Sequence, residues 1–214
     1  MTSSISNTLL LIMNPRALPE CLISLERLDV PKMWLRNYTE AQLVDVIGNA
    51  VEAQLYDRYV IIGDDCIVSN DALQAVLQLH DEGHPVVTGY CNLDATDPRV
   101  SLTKTPFKTS TSAPQESDYN WYSLDEIYNL PPSAVIPTGF SGMCFTVMSR
   151  ELWQRFPFGC YGLPAGFASD YHLSLRLRDA GIPIVAPKNG FVWHTKPDWR
   201  NHEAIGRRRL MVAR

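Results

Sequence analysis

The chain has 214 residues, 45% hydrophobic and 20% charged, with a formal net charge of −4. This is a globular composition, which excludes a disordered chain, and its mild acidity excludes a dedicated nucleic-acid binder, because there is no positive field to attract phosphates. Five scattered cysteines without a Cys-x-x-Cys pair exclude a disulfide framework or zinc ribbon, and no apolar stretch is long enough to cross a membrane.

Short apolar runs alternate with helical patterns along the first half. Thr8 to Met13 reads as a buried strand, and Leu18 to Leu28 as a helix with leucines at helical spacing. Met33 to Leu35 is a second strand. Thr39 to Leu55 is an amphipathic helix with Thr39 as its N-cap. Tyr59 to Ile62 is a third strand, Asp71 to Asp81 a helix ending near Gly83, and Pro85 to Tyr90 a fourth strand. The alternation predicts an α/β fold, with a mainly parallel sheet, right-handed crossovers and flanking helices.

The second half differs in style. Residues 92–118 are polar and rich in Thr, Ser and Pro, and read as a long mobile loop. Ser123 and Glu126 form a capping box. Ala134 to Pro137 and Met143 to Met148 read as strands, and Ser149 to Phe156 as a short helix. Ser169 caps a helix that Gly181 stops, and Pro183 to Ala186 and Phe191 to His194 close the sequence pattern.

Several chemistries are missing from the sequence. It has no Walker A loop, no Gly-x-Gly-x-x-Gly after the first strand and no His-Glu-x-x-His. Gly139-Phe140-Ser141-Gly142 has the wrong glycine spacing for a nucleophilic serine elbow and reads as a pocket-lining bend. Three other features carry more information. Asp64 and Asp65 stand together directly after a buried strand, where α/β sheets bind ligands; they either cap the next turn or hold a divalent cation. Asp170 lies in the first turn of a helix, either as a partner of the helix dipole or as a general base. His194 ends an apolar strand, either as a structural imidazole or as a metal ligand.

Taken in order, these segments resemble the GT-A glycosyltransferases of the inverting, family-2-like type, including viral members. The likeness rests on Asn14-Pro15-Arg16 after the first strand, Gly63-Asp64-Asp65-Cys66 before Ser69-Asn70-Asp71-Ala72-Leu73, and Thr138-Gly139-Phe140-Ser141-Gly142 before Ser149-Arg150-Glu151-Leu152. It continues through Ser169-Asp170 with Arg176-Leu177-Arg178-Asp179-Ala180-Gly181, and ends on Trp193-His194. Cys66 departs from the pattern, standing where the family's last metal-binding Asp is often found.

The resemblance implies sugar transfer from a UDP-sugar donor to a hydroxyl of a glycan acceptor, with Mn2+ or Mg2+ held by Asp65 and His194. Asn14, Arg36, Asp64 and Asp65 are implied at the donor, and Asp170 as the catalytic base. Gly139, Phe140, Ser141, Trp153 and Tyr161 are implied at the acceptor, with Trp121, Tyr122 and Trp193 as further aromatic faces. One GT-A domain over 1–214 is expected, with a nucleotide-sugar half at 1–91 and an acceptor half at 92–214. The chain is expected in the cytoplasm (the host's, if viral), and the sequon Asn37-Tyr38-Thr39 to go unused. The basic run Arg207 to Arg214 reads either as a basic arm toward an anionic membrane surface or a diphosphate, or as the start of a connection to a further C-terminal domain. Rival readings are a sugar nucleotidyltransferase, which lacks its Gly-rich loop here, and a non-catalytic binding module of the same fold.

Overall fold

A computed structural model describes residues 7–14, 18–36, 40–53, 56–63, 65–93, 97–105, 119–142, 145–159 and 169–195. Eleven strands and six helices follow one another along these residues. The first half holds β1 (Thr8–Asn14), α1 (Pro19–Glu26), β2 (Lys32–Arg36), α2 (Glu40–Ala53), β3 (Arg58–Gly63), β4 (Cys66–Ile67), α3 (Asn70–Asp81) and β5 (Val86–Thr88). The second holds β6 (Arg99–Thr103), β7 (Trp121–Ser123), α4 (Leu124–Tyr128), β8 (Val135–Thr138), β9 (Phe145–Ser149), α5 (Arg150–Arg155), α6 (Ser169–Asp179), β10 (Ile184–Pro187) and β11 (Trp193–His194).

Seven strands form the central sheet in the order β2-β1-β3-β9-β5-β10-β8. Strands β2, β1, β3, β5 and β10 run one way, and only β9 and β8 run against them. The sheet is thus mostly parallel, as the alternation predicts, but β9 from the second half lies between β3 and β5 of the first. The two halves share a single sheet.

Continuous apolar runs in β1 and β3 follow from burial on both faces. Leu10, Ile12, Val60 and Ile62 turn toward α1 and α3, against Leu25, Leu28, Leu73, Val76 and Leu77. Leu9, Leu11, Tyr59 and Ile61 turn the other way, against Ile47 and Val51 of α2, Trp153 of α5 and Leu173 and Leu177 of α6. Burying each such side chain contributes about 1.5–3 kcal/mol. A third cluster under β6 gathers Tyr90, Val100, Leu102, Ile127 and Ile136.

Local chemistry sets several helix ends. Ser69 accepts from the Ala72 N–H at the start of α3, and Gly83 follows that helix with φ of 98°. Ser123 and Glu126 form the expected reciprocal box, and Gly181, φ 69°, follows α6. Thr39, expected as a cap, lies outside the described residues.

The structure corrects the reading of 92–118 as one loop. Strand β6 lies inside it, paired antiparallel with β7. Its sequence, Arg-Val-Ser-Leu-Thr, has a strand's alternation, with Val100 and Leu102 buried in the third cluster. Among the described residues no helix is long and apolar enough to cross a membrane.

Candidate active site

The C-terminal ends of β1, β2 and β3 meet at one edge of the sheet. Asn14 pairs with Arg36, and Met13 with Gly63. The backbone therefore brings the positions of Asn14 and Arg36 beside the turn carrying Asp65. Their side chains, and all of Asp64, lie outside the described atoms.

Just past that turn, the two-residue strand β4 pairs antiparallel with β11, and Cys66 faces His194 in the register. This short ladder carries the late strand back over the end of β3. His194 Nε2 then stands 2.7 Å from Asp65 Oδ2. Thr195 secures the crossing, since its N–H and hydroxyl both donate to the Asp65 carbonyl, at 2.6 and 3.1 Å. The buried Cys66 thiol donates to Asp65 Oδ1 at 3.8 Å, so it supports the carboxylate from below.

Gly63 gives the carboxylate its seat. A Cβ at this position would stand 2.6 Å from Asp65 Oδ1. The side chain folds back over the strand end, and only glycine leaves room for it.

Asp65 is 4% exposed, so its charge needs a partner. Burial by itself would lower the His194 pKa, but hydrogen bonds to Asp65 and then to the Cys91 thiol outweigh it and push the pKa up to about 9. At neutral pH the pair is an imidazolium–carboxylate ion pair. One carboxylate and one imidazole suit a divalent transition cation. Among the described residues, however, no group of three His, Cys, Asp or Glu side chains is arranged to hold a metal ion. Asp65 and His194 offer a cation one oxygen and one nitrogen, leaving its other positions to ligand oxygens, water or Asp64.

Asp170 lies half-buried in the first turn of α6, and its Oδ1 accepts from the Tyr171 N–H at 2.7 Å. Its carbonyl accepts from the Ser174 hydroxyl, and Ser174 Oγ in turn accepts from the Ser141 N–H at 3.0 Å. The bend at 139–142 is thereby tied to the turn that carries Asp170. Phe140, half-buried, packs there with Tyr119, Tyr171 and Leu175.

Three acceptor expectations change. Trp153 is 2% exposed in the core, and its indole N–H donates to the Tyr59 carbonyl at 3.1 Å. It offers no face to a sugar, because β1 and β3 need a large side chain above them on this side. Ser141 is fully buried; its hydroxyl bonds Thr146 Oγ1, which in turn bonds Thr88 Oγ1. Gly139 is buried too, with its N–H on the Thr103 carbonyl. Both residues shape the bend from within and do not line it. Tyr161 lies outside the described residues.

Sequence reasoning missed Gly63 as a seat, Thr195 as a clamp and Cys91 as a partner of His194. Only Gly63 left a signal, as a glycine directly before paired acids.

The profile of the family described as Glycosyltransferase like family 2 matches residues 38–211. No curated protein matches the chain. Among solved structures, A197 from STIV is similar with a TM-score of 0.57 and 18% identity, over 84% of this chain and 81% of that one. The mannosyltransferase PcManGT from Pyrobaculum calidifontis, solved with GDP-Man and Mn2+, is similar with a TM-score of 0.54 and 13% identity, over 95% of this chain and 60% of that one. GalNAc-T7, solved with UDP, GalNAc and Mn2+, is similar with a TM-score of 0.51 and 10% identity, over 92% of this chain and 44% of that one. At these identities the structures speak for the fold, and this chain spans less than two thirds of the last two. The family match covers most of the sequence, and it makes the chain a member of the glycosyltransferase-like family 2, a glycosyltransferase built on a GT-A fold.

Proposed function

We propose that the protein is an inverting, metal-dependent transferase that moves a sugar from a UDP-sugar to a hydroxyl of a glycan acceptor. The observation that carries this reading is the Asp65–His194 contact of 2.7 Å at the strand ends, beside the positions of Asn14 and Arg36. Two structures of similar fold, PcManGT and GalNAc-T7, were solved with a nucleotide and Mn2+, which supports a nucleotide-sugar donor and a divalent cation.

Asp65 and His194 would hold Mn2+ or Mg2+, with Asp64 beside them. The ion supplies positive charge against the negative charge that develops on the leaving diphosphate. For His194 to serve as a ligand it must give up the proton it shares with Asp65. Asn14 and Arg36 would face the nucleotide. Asp170, oriented by the Tyr171 N–H, would take the acceptor hydroxyl's proton as the oxygen attacks the anomeric carbon. One displacement inverts that centre. Five scattered cysteines without a Cys-x-x-Cys pair support a reducing cytoplasm, and the resemblance of the sequence to viral members supports a role in viral glycan synthesis.

The test is nucleotide release from UDP-glucose, UDP-galactose, UDP-GlcNAc and GDP-mannose, with Mn2+ and with EDTA. Metal-dependent UDP release is expected. Equal turnover in excess EDTA would remove the cation from the reading, and release from GDP-mannose alone would replace the donor.

A further inference from the structure

The β6–β7 ribbon presents two unsatisfied polar groups side by side. Thr103 Oγ1 and Trp121 Nε1 are buried and have no hydrogen-bond partner among the described residues. Thr103 itself has no exposed surface, and Trp121 is half-buried. The two residues are direct cross-strand partners, so their side chains share one face of the ribbon. Leaving such groups unpaired is costly, and each calls for a water or a ligand.

The surroundings are aromatic. Tyr119 stacks on Trp121 with ring centroids 4.8 Å apart, and Phe140 meets Trp121 edge-on at 6.0 Å. Phe140 belongs to the bend tied to the Asp170 turn, and Tyr171, next to Asp170, packs in the same cluster. Ser101, two residues before Thr103 on β6, is linked to the Asp65–His194 pair through Cys91. Val100 and Leu102 turn into the third cluster, so Ser101 and Thr103 take the opposite face. Ser101 Oγ accepts from the Cys91 N–H at 3.0 Å and from its thiol at 3.6 Å, and Cys91 is a partner of His194. Ser101 and Cys91 thus link the ribbon to the Asp65–His194 pair, and Phe140 links its aromatic wall to the turn that carries Asp170.

We propose that Thr103 and Trp121, with the Tyr119–Trp121–Phe140 wall, form a pyranose subsite that receives the acceptor sugar. A pyranose has an apolar C–H face for the aromatic wall. Its hydroxyls can accept from an indole N–H and exchange hydrogen bonds with a threonine hydroxyl. A nucleobase also stacks, but the positions expected at the nucleotide, Asn14 and Arg36, are on β1 and β2, whereas the Thr103 N–H bonds Thr138 of β8, the last strand at the other end of the sheet order. Assigning the ring to the acceptor, not the donor, rests on the transferase reading above.

The chain has five tryptophans. In a proton–nitrogen correlation spectrum, the Trp121 indole signal is the one lost in Trp121→Phe. The wild-type protein is titrated with methyl β-D-glucopyranoside, methyl β-D-galactopyranoside and methyl α-D-mannopyranoside, with sorbitol and uridine as controls. The expected result is a saturable shift of that signal with a pyranoside at millimolar concentration, and none with sorbitol or uridine. The shift should persist in saturating UDP-sugar. Thr103→Val, which removes an unpaired hydroxyl, should keep or raise the Tm while weakening pyranoside binding at least fivefold. No response to any pyranoside, an equal response to sorbitol or uridine, or unchanged binding by Thr103→Val would overturn the subsite. Loss of the shift in UDP-sugar would give the ring to the donor and overturn the acceptor assignment. A wild-type protein that responds to pyranosides but releases no nucleotide fails the transferase reading while leaving the sugar site standing.

Discussion

Asp65 and His194 are 129 residues apart in the chain and 2.7 Å apart in the fold. Two two-residue strands and the Thr195 clamp make that contact, which gives the site its charge balance. Without a cation the pair is a salt bridge. Its dependence on pH follows from a His194 pKa raised from 6.5 to about 9. A raised folded-state pKa stabilises most fully below 6.5, and the stabilisation is lost as pH rises through 9. In EDTA, unfolding free energy should fall between pH 6.5 and 9 by at most about 3 kcal/mol. In His194→Gln that slope should flatten. Parallel curves for the two proteins in urea denaturation would remove the ion pair. Buried Tyr90, whose pKa burial raises, works against the fold only above the ordinary tyrosine range, outside this window.

Gly63→Ala separates site geometry from stability. The new methyl would stand 2.6 Å from Asp65 Oδ1, the free end of a side chain that can swing away. Stability should drop by no more than about 1 kcal/mol, whereas Mn2+ affinity should fall about 10- to 100-fold, as when ligand orientation is lost. Electron paramagnetic resonance of Mn2+ and a thermal melt read the two effects. Wild-type Mn2+ affinity in the variant would show that Asp65 need not fold back over the strand.

Asp170→Asn should retain donor binding and lose transfer by about 10²- to 10⁴-fold, the usual contribution of general base catalysis. Donor affinity by calorimetry and transfer by product analysis are both needed. Near-normal turnover would leave Asp170 as a partner of the Tyr171 N–H and nothing more.

Trp153→Phe should cost about 1–3 kcal/mol, through the lost bond to the Tyr59 carbonyl and a smaller core side chain. Its acceptor KM should not move. A selective rise in acceptor KM at unchanged Tm would return Trp153 to the acceptor site.

The parallel part of this fold was visible because β1 and β3 are apolar on both faces, and caps such as Ser123 with Glu126 leave local marks. The insertion of β9 between β3 and β5 leaves none, since strand periodicity says nothing about neighbours. In the same way, β6 was hidden by polar residues around its alternating core. At the site, residue types were legible and contacts were not. An aspartate after a strand and a late histidine suggest a pair, but only the β4–β11 register makes it. Trp153 misled because aromatic identity does not tell a core side chain from an exposed one.

The interleaving of β9 has a consequence for how the enzyme comes into being on the ribosome. Strand β3 finds β9 only after residue 149 has been made, and β4 finds β11 only after residue 194. The first 91 residues leave β5 with no neighbour of their own to join it to β3, so they cannot close the sheet they appear to encode. Such distant pairings make folding slow relative to local helix formation. The Asp65–His194 salt bridge is therefore among the last contacts a growing chain can complete.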